Sequence, residues 1–233
     1  WSKSASDASA GSTSVIVDND VSDWYVGGTV VIPQTSNPSK LIYDSIGNVV
    51  DITYTFEDEL RNITALEKQA DGKTKITLDM PLSFKHEGTA PFKGEVGLLT
   101  RNILFKTELV GVSEFSLESQ VGLRKFAHTM YMNGSSGNIQ FAEFKYMGHY
   151  GTLARYTIHP HLMEATSNGM VIRGNSMWYT GFRWINIHSS DGILVEDNVG
   201  FNSAGVGYFV EVDVDNSGNQ PVIVGISDNT AFI

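Results

Sequence analysis

Apolar and polar residues alternate over short runs along most of this chain, the two-residue period of a strand with one buried face. The runs are rich in Val, Ile, Thr, Tyr and Phe, are bounded by Gly, Asn, Asp and Ser, and show little helical spacing. The pattern predicts an all-β protein. In the first part STSVIVDND, DWYVGGTVVIP, LRNITALEK and KTKITLDMPL read as strands, the last two joined by a tight turn at QADGK. FEDELRNITALEK also has the Glu and Leu content of a short helix, but the ADGK turn favours the strand.

From about residue 96 the alternating runs end in polar turns without the Asn-Gly or Asp-Gly of hairpins, and the sequence repeats. GMVIRGNSMWYTG (169–181), GILVEDNVGFNSAG (192–205) and VGISDNTAFI (224–233) align on Gly174-Asn175, Asp197-Asn198 and Asp228-Asn229, with Ala142-Glu143 of NIQFAEFKYMG at the same place. The Asn-to-Asn steps are 23 and 31 residues. A second register agrees: RWINIHSS and GYFVEVDV align at a step of 23, with Ile185 over Tyr208, Ile187 over Val210 and His188 over Glu211. These spacings predict a right-handed parallel β-helix over residues 96–233, preceded by an irregular β-rich region over 1–95. Asn175, Asn198 and Asn229 are expected to form a hydrogen-bonded turn ladder without chemistry. The last apolar run stops at Ile233 without a cap, so the chain is expected to be a segment of a larger protein, its partners including flanking domains of the same parent chain.

Composition narrows the function classes. The 26 acidic residues outnumber the 16 Lys and Arg, giving a formal charge of −10, which disfavours nucleic acid as a partner. Cysteine is absent, which removes disulfides, thiolate metal sites and thiol nucleophiles. No apolar run is long enough for a membrane span, and the first residues lack the basic and apolar regions of a signal peptide. Asn62-Ile63-Thr64 and Asn133-Gly134-Ser135 are glycosylation sequons.

The candidate chemistry centres on ARYTIHPHLM, residues 154–163, where His159 and His161 project to one side of an extended chain. His188 follows 27 residues after His161, about one coil away, and Glu211 stacks beside His188. His159, His161, His188 and Glu211 are therefore a candidate divalent-metal set, Zn²⁺ being the ion that imidazole and carboxylate ligands suit. The alternative is that these histidines are structural. Pro160 removes a ladder donor and marks a bend or bulge. Arg155, Arg173 and Arg183 either line a groove and hold uronate carboxylates or pair with Glu143 and Glu196. Trp178, Tyr179, Trp184 and Tyr208 either form a sugar-stacking platform or fill the core. DVDNSGN, residues 213–219, is either a Ca²⁺ loop or a solvated turn.

VSDWYVGGTVVI, KITLDMPLSFKHEG, GEVGLLTRNILF, HTMYM, ARYTIHPHLM, VIRGNS and GILVEDNVGFNSAG with YFVE occur in an order that resembles one family. This is the family of extracellular proteins with a domain named for its eight glycines followed by a parallel β-helix, with cell-migration-inducing hyaluronan-binding, transmembrane hyaluronidase and fibrocystin members. The resemblance implies a secreted or cell-surface protein that binds polysaccharide or glycoconjugate in a β-helix groove. It also implies metal-assisted depolymerisation of a hyaluronan-like glycan, as hydrolase or lyase, with Glu211 and His188 as the catalytic pair. The chain departs from the family pattern at Trp178, Tyr179 and Val206, where histidines tend to stand, and keeps His159, His161, His188 and Glu211. The competing expectation is a non-enzymatic structural or adhesive module.

Overall fold

The computed structural model describes residues 1–37, 39–91, 93–108, 125–211, 225–227 and 230–232. The described chain is all-β, with strands throughout and a single short 3₁₀ turn at Ala165–Ser167. It divides into two compact units, Trp1–Leu98 and Leu99–Ile233.

The first unit contains β1 (Ser2–Lys3), β2 (Ser14–Val17), β3 (Thr29–Ile32), β4 (Ser39–Tyr43), β5 (Val49–Tyr54), β6 (Glu59–Lys68), β7 (Thr74–Leu78) and β8 (Glu95–Leu98). Six of them form one antiparallel sheet in the order β1-β8-β3-β6-β7-β2, so this region is more regular than its sequence suggests. Glu59–Lys68 of FEDELRNITALEK becomes β6, not a helix. The turn at Gln69–Lys73 closes the β6–β7 hairpin, with the Gln69 amide donating to the Lys73 carbonyl at 2.8 Å. Gly72 sits there at φ 87°, a conformation that costs glycine little. β7 alternates buried and half-buried residues, which puts Ile76 and Leu78 in a core with Val15, Val17, Val30, Ile32, Ile63 and Val96.

The second unit contains β9 (Leu104–Lys106), β10 (Tyr131–Met132), β11 (Ile139–Gln140), β12 (Glu143–Lys145), β13 (Pro160–Glu164), β14 (Val171–Arg173) and β15 (Ser176–Thr180). It continues with β16 (Ile185–Ser190), β17 (Leu194–Glu196), β18 (Val199–Ser203), β19 (Tyr208–Glu211), β20 (Gly225–Ser227) and β21 (Thr230–Phe232). They form three parallel sheets: β10-β13-β16-β19, β11-β14-β17-β20 and β9-β12-β15-β18-β21. Among the described residues each pass from β10 onward gives one strand to each sheet, so a residue's lateral neighbours come from the passes before and after it. The apolar side chains between the sheets make one core, including Ile139, Ile172 and Val195 in one column and Phe144 and Met177 in another. Trp184, 1% exposed, fits because Gly200 and Gly207 leave room: a Cβ at either would stand 2.2 or 2.4 Å from the indole.

Most of the registers read from the sequence are those of the strands. Ile185 pairs with Tyr208, Ile187 with Val210 and His188 with Glu211. Val199 pairs with Thr230, which is the step of 31; Asp228 and Asn229 themselves lie outside the described residues. One alignment is corrected. Glu143 pairs with Ser176, so Phe141-Ala142, not Ala142-Glu143, stands beside Gly174-Asn175. The described corner residues take positive φ (Gly174 67°, Asp197 54°, Phe141 55°), and the bulky Phe141 concealed its equivalence with the other two.

Asn175 and Asn198 form the expected ladder, both fully buried. Asn198 Oδ1 accepts from the backbone amide and from Nδ2 of Asn175, each at 3.0 Å, while its own Nδ2 donates to the Ile172 carbonyl at 2.9 Å. Asn175 repeats the device one pass earlier, accepting from the Ala142 amide at 3.1 Å and donating to the Ile139 carbonyl at 2.9 Å. Asn198→Ala strips these partners from a dry site and is expected to cost about 2–3 kcal/mol in urea unfolding. A loss below about 1 kcal/mol would show that the ladder contributes no more than an average surface hydrogen bond.

Candidate metal centre

The site grows from two adjacent columns of the first parallel sheet. The Ile158–Ile185 bridge and the His161–His188 pair put His159 beside Asn186 and His161 beside His188. The next pass adds Phe209 beside Asn186 and Glu211 beside His188. β13 begins at Pro160, and its bulge falls between His161 and Glu164, beyond the proline. His159 and His161 do share a side: their ring centroids are 4.7 Å apart, and His161 and His188 follow at 4.8 Å.

His159 is completely buried. Its Nδ1 lies 3.0 Å from the Ala154 carbonyl, which can only accept, so Nδ1 carries the proton and Nε2 keeps a lone pair. Nε2 is buried with no hydrogen-bond partner among the described residues. Burial lowers the His159 pKa to about 4, a drop opposed by the Ala154 hydrogen bond and supported by the neighbouring His161 and His188, so the ring is neutral at pH 7. His161 Nδ1 and His188 Nδ1 face each other at 3.0 Å, one donating and the other accepting. The ligand nitrogens of His159, His161 and His188 all lie within 4.8 Å of one another.

Glu211 stands apart from this trio. One carboxylate oxygen lies 3.6 Å from His188 Nδ1; the other is ion-paired with Arg183, which also donates to the Asn186 side chain. The Arg183 guanidinium is 3.7 Å from the Phe209 ring centroid and 4.6 Å from that of Tyr156. Tyr156 in turn packs edge-on to His159 at 4.7 Å.

The other candidates are dispersed. Arg173, on the second parallel sheet, pairs with Glu196 as the pairing alternative holds, and Arg155, exposed, meets His128 Nε2 at 2.8 Å. Glu143 is buried, not a surface partner for arginine: it accepts from the Arg101 amide and from Trp178 Nε1, each at 2.9 Å. Trp178 and Trp184 are buried, Tyr179 and Tyr208 half-buried, and Lys145 lies 4.0 Å over the Trp178 ring. Asn133 sits exposed in the turn after β10. Asn62 is mid-strand, its amide held by Thr29 and Asp79. Residues 213–219 lie outside the described residues. Sequence reading missed Asn186 and the Arg183–Glu211 pair; the step of 27 that joins His161 to His188 also joins His159 to Asn186.

Stacked parallel-strand passes that carry polar side chains in columns on one sheet make the second unit of this chain a β-repeat. Residues 125–221 match the CEMIP beta-helix family, and the chain belongs to that family of eight-glycine-domain (G8) and β-helix proteins. It is 30% identical over 220 residues to Communication mutant protein F of Dictyostelium discoideum, covering 93% of this chain and 17% of that protein. It is 25% identical over 254 residues to human Fibrocystin-L, covering 93% and 6%. With the mouse Cell migration-inducing and hyaluronan-binding protein it shares 27% identity over 224 residues, covering 88% and 15%. The chain thus spans about a sixth or less of the length of these relatives.

His159 makes the fold acid-sensitive. Its pKa is lower folded than unfolded, so the unfolded chain binds more protons between pH 6.5 and about 4. Its contribution is full above 6.5 and is lost as pH falls toward 4, for a total of about 3 kcal/mol. Urea unfolding with chelator is expected to show this decline in the native chain and a shallower one in His159→Gln; equal slopes would mean that His159 is not the group responsible.

Proposed function

We propose that this chain is a secreted or cell-surface segment whose second unit is a right-handed parallel β-helix, and that its histidine columns hold a divalent cation where a polysaccharide is engaged. The observation that carries the metal is the buried lone pair of His159 Nε2, unpartnered and facing two further imidazoles. A dry, neutral acceptor of this kind costs free energy unless something binds it. Three nitrogen donors and an open fourth position suit Zn²⁺, with metal–nitrogen distances of about 2.0–2.1 Å, better than Ca²⁺, which takes six or more oxygens. Small movements of the two half-buried rings, His161 and His188, would close the set, because His159 is already fixed by Ala154.

Polysaccharide as the ligand is supported by kinship with a relative named as hyaluronan-binding. A bound cation supplies Lewis-acid polarisation of a sugar oxygen or carboxylate. The protein's own groups then have defined tasks. His159 is oriented by the Ala154 carbonyl, His161 and His188 share a proton at Nδ1, and Glu211 presents a carboxylate next to His188 as the candidate proton carrier for cleavage. A scaffold reading also has a specific basis: Arg155, Arg173 and Arg183 all have partners in the protein, and the chain's charge is −10.

Elemental analysis of the protein purified without a histidine tag separates these readings. Near-stoichiometric zinc, lost in His188→Ala and accompanied by hyaluronan binding that weakens steeply with salt, is expected. No metal, with unchanged thermal stability on adding zinc and no glycan binding at any salt, would leave the scaffold reading. A hyaluronan digest resolved by product mass and unsaturation distinguishes hydrolase from lyase from no cleavage.

A further inference from the structure

We propose that Arg183 withholds the Glu211 carboxylate from the cation, so that the site binds metal through three histidine nitrogens with the carboxylate outside the coordination shell. The proposal rests on the metal reading above. Glu211 is the residue that stacking places beside His188, and on spacing alone it is the natural fourth ligand. One of its oxygens is ion-paired with Arg183 while the other lies 3.6 Å from His188 Nδ1.

Arg183 is not a mobile surface side chain. Its guanidinium is 3.7 Å from the Phe209 ring centroid, 4.6 Å from Tyr156 and 5.6 Å from Phe182, and it donates to Asn186 Oδ1. Its side chain is 14% exposed and that of Glu211 27%. Three rings and an amide therefore hold the charge in place, in surroundings drier than bulk water, where an ion pair is strong and its rupture costly. A carboxylate so neutralised is a poor ligand. The consequence is chemical: three neutral imidazoles leave the full double charge on the cation, whereas a bound carboxylate would halve it and weaken its hold on an anionic ligand. Arg183 is thus a positioning residue that sets the charge of the site through Glu211.

Co²⁺ is the probe, since its visible bands report ligand type as well as occupancy. In the full chain, Glu211→Gln is expected to leave the Co²⁺ bands unchanged. Arg183→Gln is expected to shift them as a carboxylate enters and to tighten Co²⁺ by roughly tenfold, within the range by which outer-shell partners alter metal affinity. Arg183→Gln with Glu211→Gln is expected to restore the native bands, and Arg183→Lys, which keeps the charge, to preserve them. Altered bands in Glu211→Gln alone would make Glu211 a ligand already and overturn the proposal. So would an Arg183→Gln protein whose bands and affinity match the native chain. If Arg183→Gln does not fold, the Glu211→Gln and Arg183→Lys spectra decide the question alone. Absence of Co²⁺ binding by the native chain overturns the metal reading and this proposal together, whereas native binding with the wrong variant pattern overturns this proposal only.

Discussion

A single pass of the second unit cannot cover its own apolar face; only the neighbouring passes can, and parallel pairing fixes which residues meet. Ile139, Ile172 and Val195 share a column because a shift of one residue would turn each of them outward. The buried asparagines enforce the same register by hydrogen bonding. Asn198 satisfies the Asn175 backbone and side chain, and Asn175 satisfies Ala142 and Ile139, so a slip would leave several dry polar groups unpaired at once. Close approach adds a steric lock: the Phe141 ring would lie 2.5 Å from a Cβ at Gly174, so the corner of one pass admits only glycine beneath the ring of another.

The candidate metal centre is a by-product of that lock. No loop has to fold over to gather its histidines, because register alone brings His161 and His188 together and sets His159 one column aside. Local backbone then tunes each member. The turn before β13 supplies the Ala154 carbonyl that fixes the His159 tautomer, and burial keeps the ring neutral. Arg183 lies in the connection before β16, between the Tyr156 and Phe209 rings, where it pairs with Glu211 and donates to Asn186. Ordered strands provide the distances, and the short connections between them provide protonation and charge.

What was legible in the sequence follows from what alternation encodes. A period of two identifies strands and faces, and apolar columns identify the lateral step, so the pairing of His188 with Glu211 follows from residue spacing alone. The step failed at Ala142-Glu143 because the aligned position depends on backbone conformation: Phe141 takes the left-handed φ that Gly174 and Asp197 take, and a phenylalanine gives no sign of it. Trp178 illustrates a different limit. Its indole nitrogen is spent on buried Glu143, and nothing in the order of residues distinguishes an aromatic that stacks outward from one that caps a buried carboxylate. The arginine partners were hidden for the same reason, except for Arg173, which faces Glu196 across the step of 23 that the asparagines reveal.

Net charge is a weak guide to the ligand of such a site. The excess of ten negative charges acts through solvent with a screening length of about 8 Å at physiological salt, so it discourages distant encounter with a polyanion more than contact at a particular point. Arg173 and Arg183 add little attraction at contact because each is already neutralised by a glutamate. Imidazole ligands are different: they bring no negative charge and cancel nothing. A cation held among them would place its entire charge at the sheet surface, with Arg183 keeping the nearest carboxylate occupied. In a chain of this composition, attraction to an acidic polysaccharide would therefore depend on whether that one position is filled, not on the average field of the surface. Trp178 and Tyr179 belong to the third parallel sheet, whereas His161, His188 and Glu211 stand in one column of the first, so the site as proposed is built from a single sheet.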